Sequence, residues 1–280
     1  MTAVFQRRTS GSVVCPSCGS LVGVRDDKCY NCGRSNPGMW GFAPLLRQLG
    51  ADLGFVPLVI GTCGTIYLLT LVLTVLNSGG RWQPYSGGFN ILAPSTQALL
   101  LFGMSGAYPV YGLGWWWTLL SASWLHGSLL HIVFNMMWVR DLGPAMADIV
   151  GPSRTVIIYT FAGVCGFLLS STAGSPLTMG ASASVFGLLG ALVHYGRKSG
   201  SSLIRGQAMN YAVILFIMGF VMSGVDNFAH AGGFAGGYLA SAFFNPLTRE
   251  RGDHMLVAIA CLVATLLSIV FAVVHGLGLI

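Results

Sequence analysis

Seven apolar stretches punctuate the chain, near Phe55 to Leu76, Leu119 to Val139, Thr155 to Ser171, Ser182 to Tyr195, Ala208 to Met222, Phe228 to Phe244 and Met255 to His275. About 20 residues of α-helix cross a hydrocarbon core of about 30 Å, and in lipid the backbone must satisfy its own hydrogen bonds. The pattern therefore predicts an all-α polytopic membrane protein with seven spans. The first 50 residues differ: they are polar and carry cysteines, without the basic stub and short apolar core of a cleavable signal. The first span is accordingly expected to be retained.

Composition agrees with that reading. With 54% hydrophobic and 8% charged residues, the 280-residue chain lies outside the range of an ordinary soluble domain. Its net charge of +6 raises nucleic acid or anionic lipid as partners, but the positions of the basic residues give a simpler account. Arg7, Arg8, Arg25, Lys28, Arg34 and Arg47 precede the first span, and Arg140 and Arg154 bracket the loop after the second. Arg197, Lys198 and Arg205 follow the fourth, Arg249 and Arg251 follow the sixth, and only Arg81 falls opposite. Positive loops stay cytoplasmic, so the basic residues mark topology, the N-terminus is inside, and no nucleic-acid partner is expected.

In the polar head, Cys15-Pro16-Ser17-Cys18-Gly19 and Cys29-Tyr30-Asn31-Cys32-Gly33 form two Cys-x-x-Cys knuckles, each followed by a glycine suited to a tight turn. Four thiolates so spaced fit tetrahedral Zn2+, and a reducing compartment favours metal over disulfides. The expectation is a small four-cysteine zinc ribbon on Cys15, Cys18, Cys29 and Cys32, stabilised by its metal because so short a segment buries little apolar surface. Cys63, Cys165 and Cys261 stand singly in apolar spans and read as small core residues. The partner of the ribbon is not specified by the sequence.

Polar residues inside the spans carry the chemistry, because they are costly in lipid and mark functional sites. The second span holds His126, Ser128, His131 and Asn135, with His131 and Asn135 one helical turn apart. The Gly/Pro/Ser loop from Ser171 to Gly180 delivers Ser182 to the start of the fourth span, where unpaired backbone N–H groups can stabilise an oxyanion. His230 lies just inside the sixth span and would act as general base. Ala183, Gly187 and Ala191 on the fourth span and Gly233, Gly237 and Ser241 on the sixth form small-residue stripes that let the two helices meet. Ser182 could alternatively serve as an N-cap, and Ser184 is a rival nucleophile that would face away. Asp226, one turn before His230, could orient that histidine, cap its helix or face the outer surface.

These residues resemble the rhomboid family of intramembrane serine proteases over roughly Asn90 to Phe244, through His126, His131 and Asn135, Gly180-Ala181-Ser182, and Ala229-His230-Ala231-Gly232-Gly233. The resemblance implies a six-helix core with an appended seventh span and a catalytic Ser182–His230 dyad without an acidic third member. It further implies His131, Asn135 and the auxiliary His126 at the oxyanion, Phe186 beneath His230, and helix-packing support from Gly180, Phe186, Gly233 and Gly237. The segment Asn90 to Trp117 resembles the family's first loop, with Trp115, Trp116 and Trp117 suited to the interface. Three positions depart from the family pattern. Ala183 follows the nucleophile in place of glycine, Thr118 stands where arginine is usual, and Ala147 precedes Asp148 where an acid is expected.

The expected organisation is a cytoplasmic zinc-ribbon head and linker over 1–50, a rhomboid-like six-span protease core over 51–246, and a loop with the seventh span over 247–280. The expected function is hydrolysis of peptide bonds in or near transmembrane segments of protein substrates in a lipid bilayer, with no cofactor for catalysis. The expected location is a prokaryotic plasma membrane with the active site open to the outer face. The alternative is a non-catalytic rhomboid-like protein that binds or sorts membrane clients.

Overall fold

A computed structural model describes residues 7–15, 19–43, 52–77, 91–222, 224–248 and 250–279. The chain divides into two compact units, Met1–Phe55 and Val56–Ile280. In the first, strands β1 (Ser12–Val14) and β2 (Leu21–Gly23) pair antiparallel with Val13 opposite Val22. Val13, Val22, Val24, Cys15, Cys29 and Ala43 form its small core. The ends of the two knuckles are bonded alike: Gly19 N donates to Cys15 O and Gly33 N to Cys29 O, both at 2.9 Å. Gly19 (φ +76°) and Gly33 (φ +71°) take the left-handed conformation that these turns require.

The second unit is helical. Its elements are α1 (Phe55–Asn77), α2 (Thr96–Leu101), α3 (Thr118–Ser121), α4 (Leu129–Val150), α5 (Pro152–Thr172), α6 (Ser182–Ser199), α7 (Ser202–Val221), α8 (Asn227–Phe243) and α9 (Gly252–Gly276). Of these, α1, α5, α7 and α9 are long and apolar enough to cross a membrane by length and composition. Helices α4, α6 and α8 fall outside those limits of length and composition. In α6 every residue from Ala183 to His194 is buried, so its surroundings are other helices and it need not match lipid. Side-chain caps set several boundaries. Ser128 Oγ accepts from His131 N at the start of α4, Ser201 Oγ from Ile204 N at α7, and Asp226 Oδ1 from Phe228 N and Ala229 N at α8.

One expected span is redrawn. The stretch Leu119–Val139 is not a single helix: α3 gives way to a 3-10 turn at Ala122–Trp124, Leu125 is extended, and α4 begins only at Leu129. The Ser128 cap restarts the helix, which runs through Pro144 to Val150. Apolar counting cannot register that break, because the residues on both sides of it are largely apolar.

Helices α6 and α8 meet along the anticipated stripes. A Cβ on Gly237 would collide with Gly187 O, and one on Gly233 with Ala183 O. Helix α5 closes the group, since a Cβ on Gly187 would collide with Ala162 Cβ. Backbones this close leave no room for side chains, which is how small residues hold helices together in lipid.

Arg154, expected only as a topology marker, has a structural role as well. It is 1% exposed, and its guanidinium donates to Thr248 O (2.8 Å), Asn245 O (3.3 Å) and His254 Nδ1 (3.2 Å), while its backbone N donates to Glu250 Oε1 (2.8 Å). It thereby ties the start of α5 to the α8–α9 connection. Counting charges along the chain cannot separate such a clasp from a solvated topological arginine.

Candidate active site

Ser182 is the first residue of α6. Ala181 occupies the N-cap with helical φ and ψ and no side-chain cap bond, so Ser182 does not spend its hydroxyl on capping. Ser184 is fully buried, with Oγ 3.4 Å from Ser123 Oγ, and does not line the cavity that Ser182 faces. Gly180 arrives with φ +122°. Its N–H donates to Ala122 O at 2.9 Å, and a Cβ there would stand 2.6 Å from His131 Nε2. Gly180 therefore serves close approach of the backbone to an imidazole, not helix packing as expected.

That cavity, of about 380 Å³, is lined by Ser182, His230, His131, Asn135 and Phe186. The His230 ring stacks on Phe186 with centroids 4.2 Å apart and planes 15° from parallel, which fixes the imidazole plane. Among the described residues His230 Nδ1 has no hydrogen-bond partner, and no hydrogen bond joins His230 to Ser182. Catalytic hydrogen bonds are often loose before substrate arrives. Asp226 does not hold the ring: its carboxylate caps α8 and accepts from Ser170 Oγ. Of the roles open to Asp226, the geometry is that of the cap.

His131 is oriented by its own turn. Gly127 N donates to His131 Nδ1 at 3.2 Å, so the neutral ring carries its proton on Nε2, the nitrogen that faces Gly180. Asn135 Nδ2 donates to His131 O at 2.8 Å, leaving its second N–H for another acceptor. Two side-chain donors thus share the cavity with the N-terminus of α6. His126 stands behind them. It is 1% exposed, its ring lies 5.1 Å from that of His131, and among the described residues neither of its ring nitrogens has a partner. It is absent from the cavity lining, so an auxiliary position fits it and direct contact with an oxyanion does not.

The walls are apolar. Phe134 and Trp138 of α4 line the cavity together with Leu215 and Met218 of α7. An extended peptide with apolar side chains matches that lining.

A second serine–histidine pair lies outside the site residues expected from the sequence. His194 Nδ1 and Ser241 Oγ share a hydrogen bond at 2.8 Å, with exposures of 4% and 1%. His194 lies 12 positions after Ser182 and Ser241 lies 11 after His230, which puts the pair about 18 Å farther along α6 and α8. Neither residue lines the cavity. The available signal was the continuation of the stripe from Gly233 and Gly237 to Ser241, opposite a histidine at equal depth.

In the first unit, Cys15, Cys29 and Cys32 place their sulfur atoms within 4.8 Å of one another, and the Cys15 and Cys32 sulfurs are 3.7 Å apart. Cys18 lies outside the described residues. Three thiols that converge at metal-ligand spacing could chelate a metal ion.

Known proteins supply an independent comparison. The Rhomboid domain profile matches residues 113–247, a span that contains the cavity residues from Gly127 to His230. Rhomboid protease GluP of Bacillus subtilis (strain 168) is 32% identical over 169 residues, covering 59% of this chain and 33% of that protein. RHOMBOID-like protein 4 of Arabidopsis thaliana is 33% identical over 155 residues, covering 53% and 39%. RHOMBOID-like protein 7 of the same plant is 32% identical over 160 residues, covering 53% and 49%. The chain spans between a third and a half of the length of these relatives. It carries a rhomboid-family domain over residues 113–247 and is homologous to rhomboid proteases.

Proposed function

We propose that the protein is an intramembrane serine endopeptidase that cleaves peptide bonds in or near transmembrane segments of other membrane proteins, with Ser182 as nucleophile and His230 as general base. The observation that carries this reading is one cavity that brings together a half-buried serine at a helix N-terminus, a stacked histidine and two oriented N–H donors. His230 takes the proton from Ser182 Oγ as that oxygen attacks the scissile carbonyl carbon. The resulting oxyanion is met by the Ser182 backbone N–H, the Nε2–H of His131 and the second Nδ2–H of Asn135, each such donor contributing about 3 kcal/mol in the transition state. His230 then protonates the leaving amine, and water, deprotonated by the same imidazole, hydrolyses the acyl-enzyme. The substrate helix must unwind locally, since its carbonyls are otherwise hydrogen-bonded within the helix.

A second reading takes Ser241 and His194 as the dyad, because their side chains share a hydrogen bond at 2.8 Å. Burial of both side chains and their absence from the lining of the cavity described above count against it, since a nucleophile must reach its substrate. A serine-reactive fluorophosphonate separates the two. Labelling is expected to vanish in Ser182→Ala and His230→Ala and to persist in Ser241→Ala; the reverse pattern would move the catalytic pair to the far end of α6 and α8.

The organisation proposed here places seven spans in a prokaryotic plasma membrane, with the N-terminus cytoplasmic and the cavity toward the outer face, as the basic residues indicate. The head is proposed to hold structural Zn2+ on Cys15, Cys18, Cys29 and Cys32, a role supported by the matching Gly19–Cys15 and Gly33–Cys29 backbone bonds and by the converging thiols of Cys15, Cys29 and Cys32. Zinc content of about one ion per purified chain, lost in a Cys15→Ser/Cys29→Ser variant, is the expected result; equal metal content in both proteins would remove the ribbon.

A further inference from the structure

The face of α9 that carries Ser268, Phe271, Ala272 and His275 repeats at three- and four-residue spacing and so forms one stripe. That stripe meets the turn before α3. Ser268 Oγ donates to Trp117 O at 2.7 Å. The Trp117 ring stands edge-on to Phe271, with centroids 4.6 Å apart, and His275 touches both Trp115 (5.2 Å) and Trp117 (5.5 Å). A Cβ on Gly103 would meet Ala272 Cβ at 3.1 Å.

What this turn supports lies beside Ser182. Thr118 Oγ1 contacts Ser105 Oγ at 3.2 Å, and Ser121 Oγ donates to Gly103 O at 2.8 Å. Ser105 pairs with Thr178 through both backbone bonds (3.1 and 2.7 Å), Ala107 N donates to Ser175 O (2.7 Å), and Gly180 N donates to Ala122 O (2.9 Å). The segment that enters α6 at Ser182 is therefore pinned to residues 105–122, and those are pinned in turn to α9.

We propose that α9 is a positioning element of the active site: Ser268, Phe271 and His275 seat the Trp115–Trp117 turn, which aligns the Ser175–Gly180 segment and so sets Ser182 against His131. This rests on the Ser182 reading above. Displacing a nucleophile by about 1 Å can cost up to about a hundredfold in rate, so an effect on turnover is expected with little effect on substrate binding.

The test is the rate of fluorophosphonate labelling by the purified full chain in detergent, resolved into a maximal rate and a half-saturating probe concentration. Phe271→Ala is expected to lower the maximal rate about tenfold with the half-saturating concentration unchanged, and Phe271→Tyr, which keeps the ring, to restore it. Ser268→Ala removes one hydrogen bond and is expected to lower the rate about threefold. Leu266→Ala, at a side chain 60% exposed on the same helix, is expected to label like wild type. Should Phe271→Ala fail to fold, Ser268→Ala decides the matter alone. Wild-type rates in folded Ser268→Ala and Phe271→Ala would overturn the role of α9 while leaving the dyad intact. A wild type whose labelling does not depend on Ser182 would overturn the dyad reading and this one with it.

Discussion

Helices α6 and α8 carry a serine and a histidine at each of two levels, and the two levels differ in almost every physical respect. Ser182 and His230 face a cavity of about 380 Å³ and share no hydrogen bond among the described residues, with N–H donors of His131 and Asn135 nearby. His194 and Ser241 are hydrogen-bonded at 2.8 Å and buried away from that cavity. On the proposed assignment, a hydrogen bond between serine and histidine is a poor mark of catalysis by itself. Access for a carbonyl carbon and donors for its oxygen distinguish a reactive pair from a polar clasp between two helices.

The sharpest way to break this contrast is to remove each serine in turn. Ser182→Ala should reduce peptide-bond hydrolysis by about 10⁴-fold or more, whereas Ser241→Ala should leave the turnover of folded protein within about threefold of wild type, both read from initial rates. Next in size is the proposed oxyanion donor. His131→Ala should lower kcat by about 10²-fold or more with KM little changed, and steady-state kinetics on one substrate would show whether the loss falls instead on KM.

Stability effects should show the opposite assignment. Gly237→Ala places a methyl where it collides with Gly187 O, and overpacking of this kind costs about 1 to 3 kcal/mol. Ser241→Ala leaves a buried imidazole nitrogen unpaired, at about 1 to 3 kcal/mol. Both should appear as lowered midpoints in unfolding followed by circular dichroism, while Ser182→Ala should not shift the midpoint.

The smallest effect concerns Glu250, outside the helices, where burial pushes the carboxyl above its ordinary range against the pull of the Arg154 N–H, Ser153 and the Arg154 charge. A carboxyl whose folded pKa is raised binds its proton more tightly in the folded state, so stability is fullest at low pH and declines as pH rises through that folded value. Glu250→Gln should match wild type in acid and be slightly more stable at neutral pH. Equal pH dependence in the two proteins would mean that Arg154 neutralises the carboxylate fully.

Much of the site was legible because polar groups in apolar segments are conspicuous: Ser182, His230, His131 and Asn135 stood out for that reason, and all four line one cavity. The small-residue stripes were legible as a spacing. Hidden were features that depend on contacts between distant segments. Gly180 reads as packing support, yet it makes room for the His131 ring. Arg154 read as a topology signal and proved to be a buried clasp. Helix α4 begins at Leu129, well inside the apolar stretch that announced it, because a serine cap restarts the helix. Hydropathy is a one-dimensional quantity, and each of these depends on what arrives from elsewhere in the chain.

The measurement that bears most directly on the account is cleavage of a transmembrane model substrate in proteoliposomes by wild type, Ser182→Ala, His230→Ala and Ser241→Ala, with the fluorophosphonate-labelled serine identified by peptide mass. Cleavage is expected from wild type and Ser241→Ala only, with the label on Ser182. Cleavage that survives Ser182→Ala, or that is lost in a well-folded Ser241→Ala, would contradict the Ser182–His230 assignment.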